Sequence, residues 1–234
     1  MGRNHSILIP CIALSALLAS NLSAANQVGA SVPVHIQISS NIPIRIESVQ
    51  ATPSVSGSSG IQYKIFNAGS ARLIAVEITW DLNFGAGGPE RTVQRADYFF
   101  SPADLAPGAS KGFGVGEITD RASDGTTAPL KSATATITYA EFADGTQLGS
   151  DIQSVSAWLT SNRDAEMAEY RQALQDYRAG GVAGLSKALA WDQMPPTSGG
   201  REVWLRLHQI QKQKGVSGVV EELTRVSLLK LPNN

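Results

Sequence analysis

From Val32 to about Val155, apolar and polar residues alternate with a period of two, the repeat of an extended chain whose side chains point to opposite faces. The clearest run is Ile74, Val76, Ile78, Trp80, Leu82 and Phe84, interleaved with Ala75, Glu77, Thr79, Asp81 and Asn83. This reads as a central strand with one face buried and the other meeting water, and it places Trp80 between two sheets. Shorter runs occur at Val32, Val34, Ile36 and Ile38, at Ile42, Ile44 and Ile46, and at Ile61, Tyr63 and Ile65. Ala133, Ala135, Ile137 and Tyr139 repeat the pattern, with Thr134, Thr136 and Thr138 on the outer face. Thr92 to Phe100, Lys111 to Ile118 and Gln147 to Val155 are weaker candidates. Asn67-Ala68-Gly69-Ser70, Pro107-Gly108 and Asp144-Gly145 supply turns. Seven or eight short strands without helical crossovers predict a mainly β fold, an immunoglobulin-like antiparallel β-sandwich.

After Val155 the period lengthens. Ser161, with Asp164 three residues on, is expected to cap a helix whose stripe is Met167, Tyr170, Leu174 and Tyr177, and Gly180-Gly181 ends it. A short helix from Val182 to Ala190 follows, then a loop at Pro195 and Pro196. A helix from Arg201 to Lys214 aligns Val203, Leu207 and Ile210, and Val219, Leu223 and Val226 mark a last one. The stripes suit either internal packing or a partner-binding seam. The predicted organisation is a signal peptide at 1–25, a β-sandwich domain at 26–160 and a C-terminal α-helical extension at 161–234.

The N-terminus changes the picture most. Arg3 precedes an apolar run from Ile7 to Ala19, and Ser23 and Ala25 are small residues at the −3 and −1 positions of a cleavage site before Asn26. The chain is expected to be exported, secreted or periplasmic, with no membrane span after cleavage. An uncleaved anchor is the rival reading, because Ile7 to Ala25 is uncharged and close to the ~20 residues that cross a bilayer. Cleavage removes Cys11, the only cysteine, so neither a disulfide nor a thiolate is available to the mature chain. From Asn26 to Leu159 there are eight Lys plus Arg against twelve Asp plus Glu, and from Thr160 onward ten against eight. Neither part is basic enough to suggest nucleic acid.

Candidate chemistry is sparse. The mature chain keeps only His35 and His208, neither paired in sequence with a nucleophile or an acidic cluster. Gly215-Val216-Ser217-Gly218 follows a helix, unlike a nucleophile elbow, and the lone Asp124-Gly125 and Asp144-Gly145 pairs are turns rather than calcium loops. Gly112, Gly114 and Gly116 lie in a strand pattern and leave one face bare, for close packing or a bulge. No catalytic residue, cofactor or metal ligand is assigned. Two possibilities stay open. Tyr98, Phe99 and Phe100 are possible ligand contacts, stacking on a sugar or engaging a protein if exposed and forming ordinary core if buried. Asp81 and Glu141 are the kind of carboxylate pair from which a glycosidase is built on a sandwich. The leading expectation is a non-catalytic extracytoplasmic binding or cell-envelope module with a protein or glycan partner. The alternative is a carbohydrate-binding or glycoside-hydrolysing protein.

Tyr63 with Asn67-Ala68-Gly69, Trp80, Leu105-Ala106-Pro107-Gly108, and Tyr139-Ala140-Glu141-Phe142-Ala143-Asp144-Gly145-Thr146 running to Gly149 form an ordered set. This set resembles uncharacterised bacterial secreted proteins with immunoglobulin-like β-sandwiches, over roughly Ile42 to Arg178. A charged helix after the last strand is similar too, while Leu148 stands where an aromatic is expected. The resemblance implies a secreted or cell-envelope protein and carries no activity.

Overall fold

The computed structural model describes residues 32–37, 41–53, 59–85, 89–101, 105–118, 120–121, 127–128 and 130–231; the export signal and the Asp124-Gly125 turn lie outside the described residues. The chain divides into two compact units, Met1–Ile152 and Gln153–Asn234.

In the first unit the strands are β1 (Val34–Gln37), β2 (Ile44–Pro53), β3 (Ser59–Asn67), β4 (Leu73–Asn83), β5 (Pro89–Asp97), β6 (Ser110–Ile118), β7 (Asp120–Arg121), β8 (Thr127–Ala128), β9 (Ser132–Phe142) and β10 (Gln147–Gly149). One sheet has the order β1-β9-β4-β5 with β10 also on β9, a second has the order β2-β3-β6, and β7 pairs β8. All pairs are antiparallel except β1 with β9, which is parallel. The two larger sheets share one apolar cluster, with Ile44, Ile61, Tyr63 and Ile65 from one and Val76, Ile78, Trp80, Ala135 and Ile137 from the other. Trp80 is fully buried, its ring 5.2 Å from that of Tyr63 on the facing sheet, as the alternation predicts. Gln94 ties β5 to the other sheet, accepting from the Tyr63 hydroxyl at 2.7 Å and donating to the Gly114 carbonyl at 3.2 Å.

Register shifts account for the misplaced side chains. The pairing of β4 with β9 slips between Leu73 and Ala75 and between Glu77 and Ile78. A one-residue slip moves the following side chains to the other face. Leu73, Val76, Ala140 and Phe142 therefore join the shared core, while Ile74 and Tyr139 are buried outside it. The outer face of β4 is also less wet than expected. Glu77 is buried because its neighbours close over it: Arg95 donates to Oε2 at 2.7 Å and the Thr138 hydroxyl to Oε1 at 2.6 Å.

The turns form as predicted. Pro107-Gly108 is a type II turn, with Gly108 at φ +77° and the Ala109 N–H donating to the Ala106 carbonyl. Asp144-Gly145 closes β9 onto β10; the Asp144 carboxylate accepts from the Thr146 N–H at 3.0 Å, which holds its pKa below the usual carboxylate value. The glycines of β6 leave an open face at Gly112, and the pairing with β3 shifts between Val115 and Ile118, where Gly116 lies.

The second unit consists of α1 (Ile152–Ala188), a 3-10 turn (Trp191–Gln193) and α2 (Ser198–Ser227). The helix begins at Ile152 rather than at Ser161. Ile152, Val155 and Leu159 already follow the helical period, and only Gln147–Gly149 of the expected last strand is extended. Each helix breaks at a glycine. Gly181 has φ 58°, ψ −143° and Gly215 has φ 69°, ψ −170°, a region essentially closed to other residues. The result is the four helical segments the apolar stripes predict.

These segments form two copies of one design, offset by 34 residues. Gly181-Val182-Ala183-Gly184 recurs as Gly215-Val216-Ser217-Gly218. Tyr170 corresponds to Trp204, Ala173 to Leu207, Leu185 to Val219 and Leu189 to Leu223, and all eight are buried. The second glycine of each motif lets the returning segment approach closely. A methyl group at Gly184 would lie 2.3 Å from the Asp176 carbonyl oxygen, and one at Gly218 would lie 2.4 Å from Lys214 Cβ. Such repeated helix–turn–helix units are the building blocks of helical arrays with groove-shaped binding surfaces.

Candidate functional site

The residues singled out in the β unit are occupied by the fold. Tyr98, Phe99 and Phe100 are all buried, so the exposed ring that ligand contact requires is absent from this segment. The strand ends at Asp97, whose carboxylate accepts from the Phe99 N–H at 2.9 Å and turns the chain, so strict alternation no longer applies. Tyr98 packs against Phe113, with ring centroids 6.0 Å apart and Lys111 Nζ over its face, and Phe99 meets Phe100 edge to face.

Asp81 and Glu141 do not converge. Glu141 lies opposite Ala75 on β4, six residues from Asp81, a separation of about 20 Å along the strand. Asp81 is gripped by Arg91 through two hydrogen bonds of 2.7 and 3.1 Å, and buried Glu141 accepts from the Tyr139 hydroxyl at 3.2 Å. The 5 to 9.5 Å spacing of glycosidase carboxylates is not met by this pair.

The turn residues behind the resemblance have structural work. Asn67 is fully buried; its Nδ2 donates to the carbonyls of Ala71 and Leu105 at 2.8 and 2.9 Å, and its Oδ1 accepts from the Gly69 N–H at 2.9 Å. Its backbone pairs with Ala109 and Gly108, so one side chain holds two loops together. Gly149, at φ +137°, brings β10 so close to β9 that a Cβ would lie 2.1 Å from the Thr138 carbonyl oxygen.

The helical unit holds a cavity of about 190 Å³ that the stripe reading did not single out. On α1, Glu169, Gln172, Ala173 and Asp176 fall at helical spacing along one side, and on α2, Gly200, Val203, Trp204 and Leu207 form the other. Leu189, Gln193 and Pro195 of the connection close the end. Thr197 caps α2, accepting from the Gly200 N–H at 3.3 Å. Gly200 has no room for a side chain, since a Cβ there would be 2.8 Å from Glu169 Oε1, Pro195 Cβ and Thr197 Oγ1. Gly200 thus lets the Glu169 carboxylate sit at the first turn of α2. Asp176 accepts from the Gln172 amide at 3.1 Å.

Trp204 is the largest side chain of the lining. His208 lies 3.7 Å from its ring centroid and exposed Trp191 4.6 Å. Its indole N–H is buried and has no acceptor among the described residues. His208 is thereby a stacking residue and His35 an exposed strand residue. Elsewhere in this unit lies a half-buried charge cluster, in which Arg206 joins α2 to α1 and the Arg225–Glu222 pair spans one turn of α2. Arg206 donates to the Tyr170 hydroxyl at 3.0 Å and Arg225 makes a two-pronged pair with Glu222. Burial pushes Tyr170 up to about 12, against the opposing pull of Arg206. Burial also works against the Arg206 charge, but Tyr170, Glu166 and Glu222 outweigh it and raise the pKa.

Among the described residues no group of three His, Cys, Asp or Glu side chains is placed to hold a metal ion, and no helix is long and apolar enough to cross a membrane. No protein-family model matches the chain, and no curated protein matches it.

Proposed function

We propose that this protein is an exported, non-catalytic binding module of the cell envelope or extracellular space. In this reading an immunoglobulin-like β-sandwich serves as the mount and the helical unit carries the binding surface. The hairpin-linked strands in two sheets around one core support the sandwich assignment. The observation that carries the binding reading is the groove on the two-repeat helical unit, where apolar and carboxylate side chains line a cavity beside exposed Trp191. The apolar run and small residues before Asn26 support export.

Site-specific photo-crosslinking in the producing cells tests the reading. A photoreactive side chain in place of Gln193, at the groove, is expected to give a discrete adduct, and one in place of exposed Lys64 on β3 is not. Equal labelling at both positions, or none at Gln193, would overturn the binding role. The N-terminal mass of extracytoplasmic material is expected to begin near Asn26; full-length chain in the membrane would replace cleavage with anchoring.

A further inference from the structure

We infer that the helical groove accepts a lysine side chain presented by a partner peptide, an inference that rests on the binding-module reading above. Size sets the first limit. About 190 Å³ is below the range of drug-sized pockets and suits one long side chain. Lining chemistry sets the second. The floor is apolar, with Ala173, Leu189, Val203 and Leu207, while Glu169 and Asp176 are the only charged residues of the lining among the described residues. An occupant with an apolar stem and a cationic end satisfies both parts, and a purely apolar one leaves the carboxylates uncompensated. The first turn of α2 offsets about half a charge beside Glu169, so the cavity still carries net negative charge.

Acceptor geometry favours an ammonium over a guanidinium. At each carboxylate one oxygen is already taken up, Asp176 Oδ1 by the Gln172 amide and Glu169 Oε1 by the close packing against Gly200, so neither presents both oxygens to a planar fork. A compact ammonium on a flexible stem needs only one of them. Trp204 adds an aromatic wall, and aromatic faces attract cations.

The probe is the blocked peptide acetyl-Gly-Ala-Lys-Ala-Gly-amide, titrated calorimetrically into the full chain. Saturable binding is expected, with a dissociation constant of about 0.1 to 1 mM for a single anchored side chain. Norleucine in place of lysine keeps the stem and removes the charge, and should weaken binding at least about tenfold. Free n-butylamine carries the same stem and charge and should compete with the peptide for the cavity. The double variant Glu169→Gln, Asp176→Asn should match the norleucine loss; the peptide series on the unaltered chain stands even if that variant does not fold. Equal binding of lysine and norleucine peptides would overturn the cationic assignment. Silence of all peptides together with a Gln193 adduct in cells would overturn the lysine proposal while leaving the binding module intact. Silence in both experiments would remove both.

Discussion

The two units differ in where their least replaceable residues lie. In the β unit these are single solutions to single problems: Asn67 joins two loops, Gly149 permits one close strand approach, and Trp80 fills the space between the two larger sheets. In the helical unit they come in pairs 34 residues apart, Gly181 with Gly215 and Gly184 with Gly218. The singular features close a core shared by two sheets, whereas the repeated ones reset the chain direction and leave a groove between equivalent faces. Polar residues in the first unit are therefore mostly partners of distant strands and loops, whereas on the groove of the second Gln172 and Asp176 pair locally, one helical turn apart.

The largest expected effect is on the singular side. Trp80→Ala should cost about 3 to 5 kcal/mol through lost burial and a cavity. Trp80→Phe should cost markedly less, because the indole N–H has no acceptor among the described residues and no hydrogen bond is lost with it. Denaturant titration checks both. A loss under about 1 kcal/mol for the alanine variant would mean that Trp80 does not span the core.

Asn67→Ala comes next, at about 2 to 4 kcal/mol. It takes the partner from the part-buried Ala71 carbonyl and Gly69 N–H and leaves the Leu105 carbonyl with the Leu73 N–H alone, and a group left unpaired costs on the order of 1 kcal/mol or more. A loss as small as that of an exposed asparagine would show that water replaces the side chain, and the two loops would then no longer count as joined.

The paired glycines give a sharper contrast. Gly181→Ala and Gly215→Ala should each cost about 1 to 3 kcal/mol, since their backbone angles suit only glycine. Gly180→Ala should be neutral or slightly stabilising, because its surroundings are open and alanine is the better helix former. If neighbours 180 and 181 respond alike, or if 181 and 215 respond differently, the two breaks are not equivalent and the repeat fails as a structural unit.

Much of this architecture is legible along the chain, and the illegible parts have physical causes. Period-two runs locate the main strands, and glycines mark both helix breaks, because local geometry dictates those residues. Periodicity cannot register a bulge, so Tyr139 and Ile74 are assigned to the wrong side of the sheet. Exposure of Phe99 and Phe100 depends on where the strand stops, which the Asp97 turn decides. The groove is hidden for another reason: its walls come from residues that look like ordinary core, and the copies differ in identity, as in Tyr170 against Trp204. Comparison at an offset of 34 residues, anchored on the Gly-Val-x-Gly motifs, is the signal that locates it.

The smallest expected effect compares one interaction across both units. Arg91 grips Asp81, and Arg225 grips Glu222, each through two hydrogen bonds between a guanidinium and a carboxylate. Geometry alone would rank them equal. Exposure separates them: the Arg91 and Asp81 side chains are 64 % and 36 % exposed, those of Arg225 and Glu222 33 % and 12 %. Water and salt screen the first pair, so Arg91→Met should cost only about 0.2 to 1 kcal/mol and less in high salt. Arg225→Met should cost at least about twice as much, because it leaves the sheltered Glu222 carboxylate without its fork. Thermal melts of the two variants at low and high salt make the measurement. Equal losses would mean that shape, not shelter from solvent, sets the worth of these pairs, and the contrast between an outward-facing β strand and a sheltered helix turn would fall at this point.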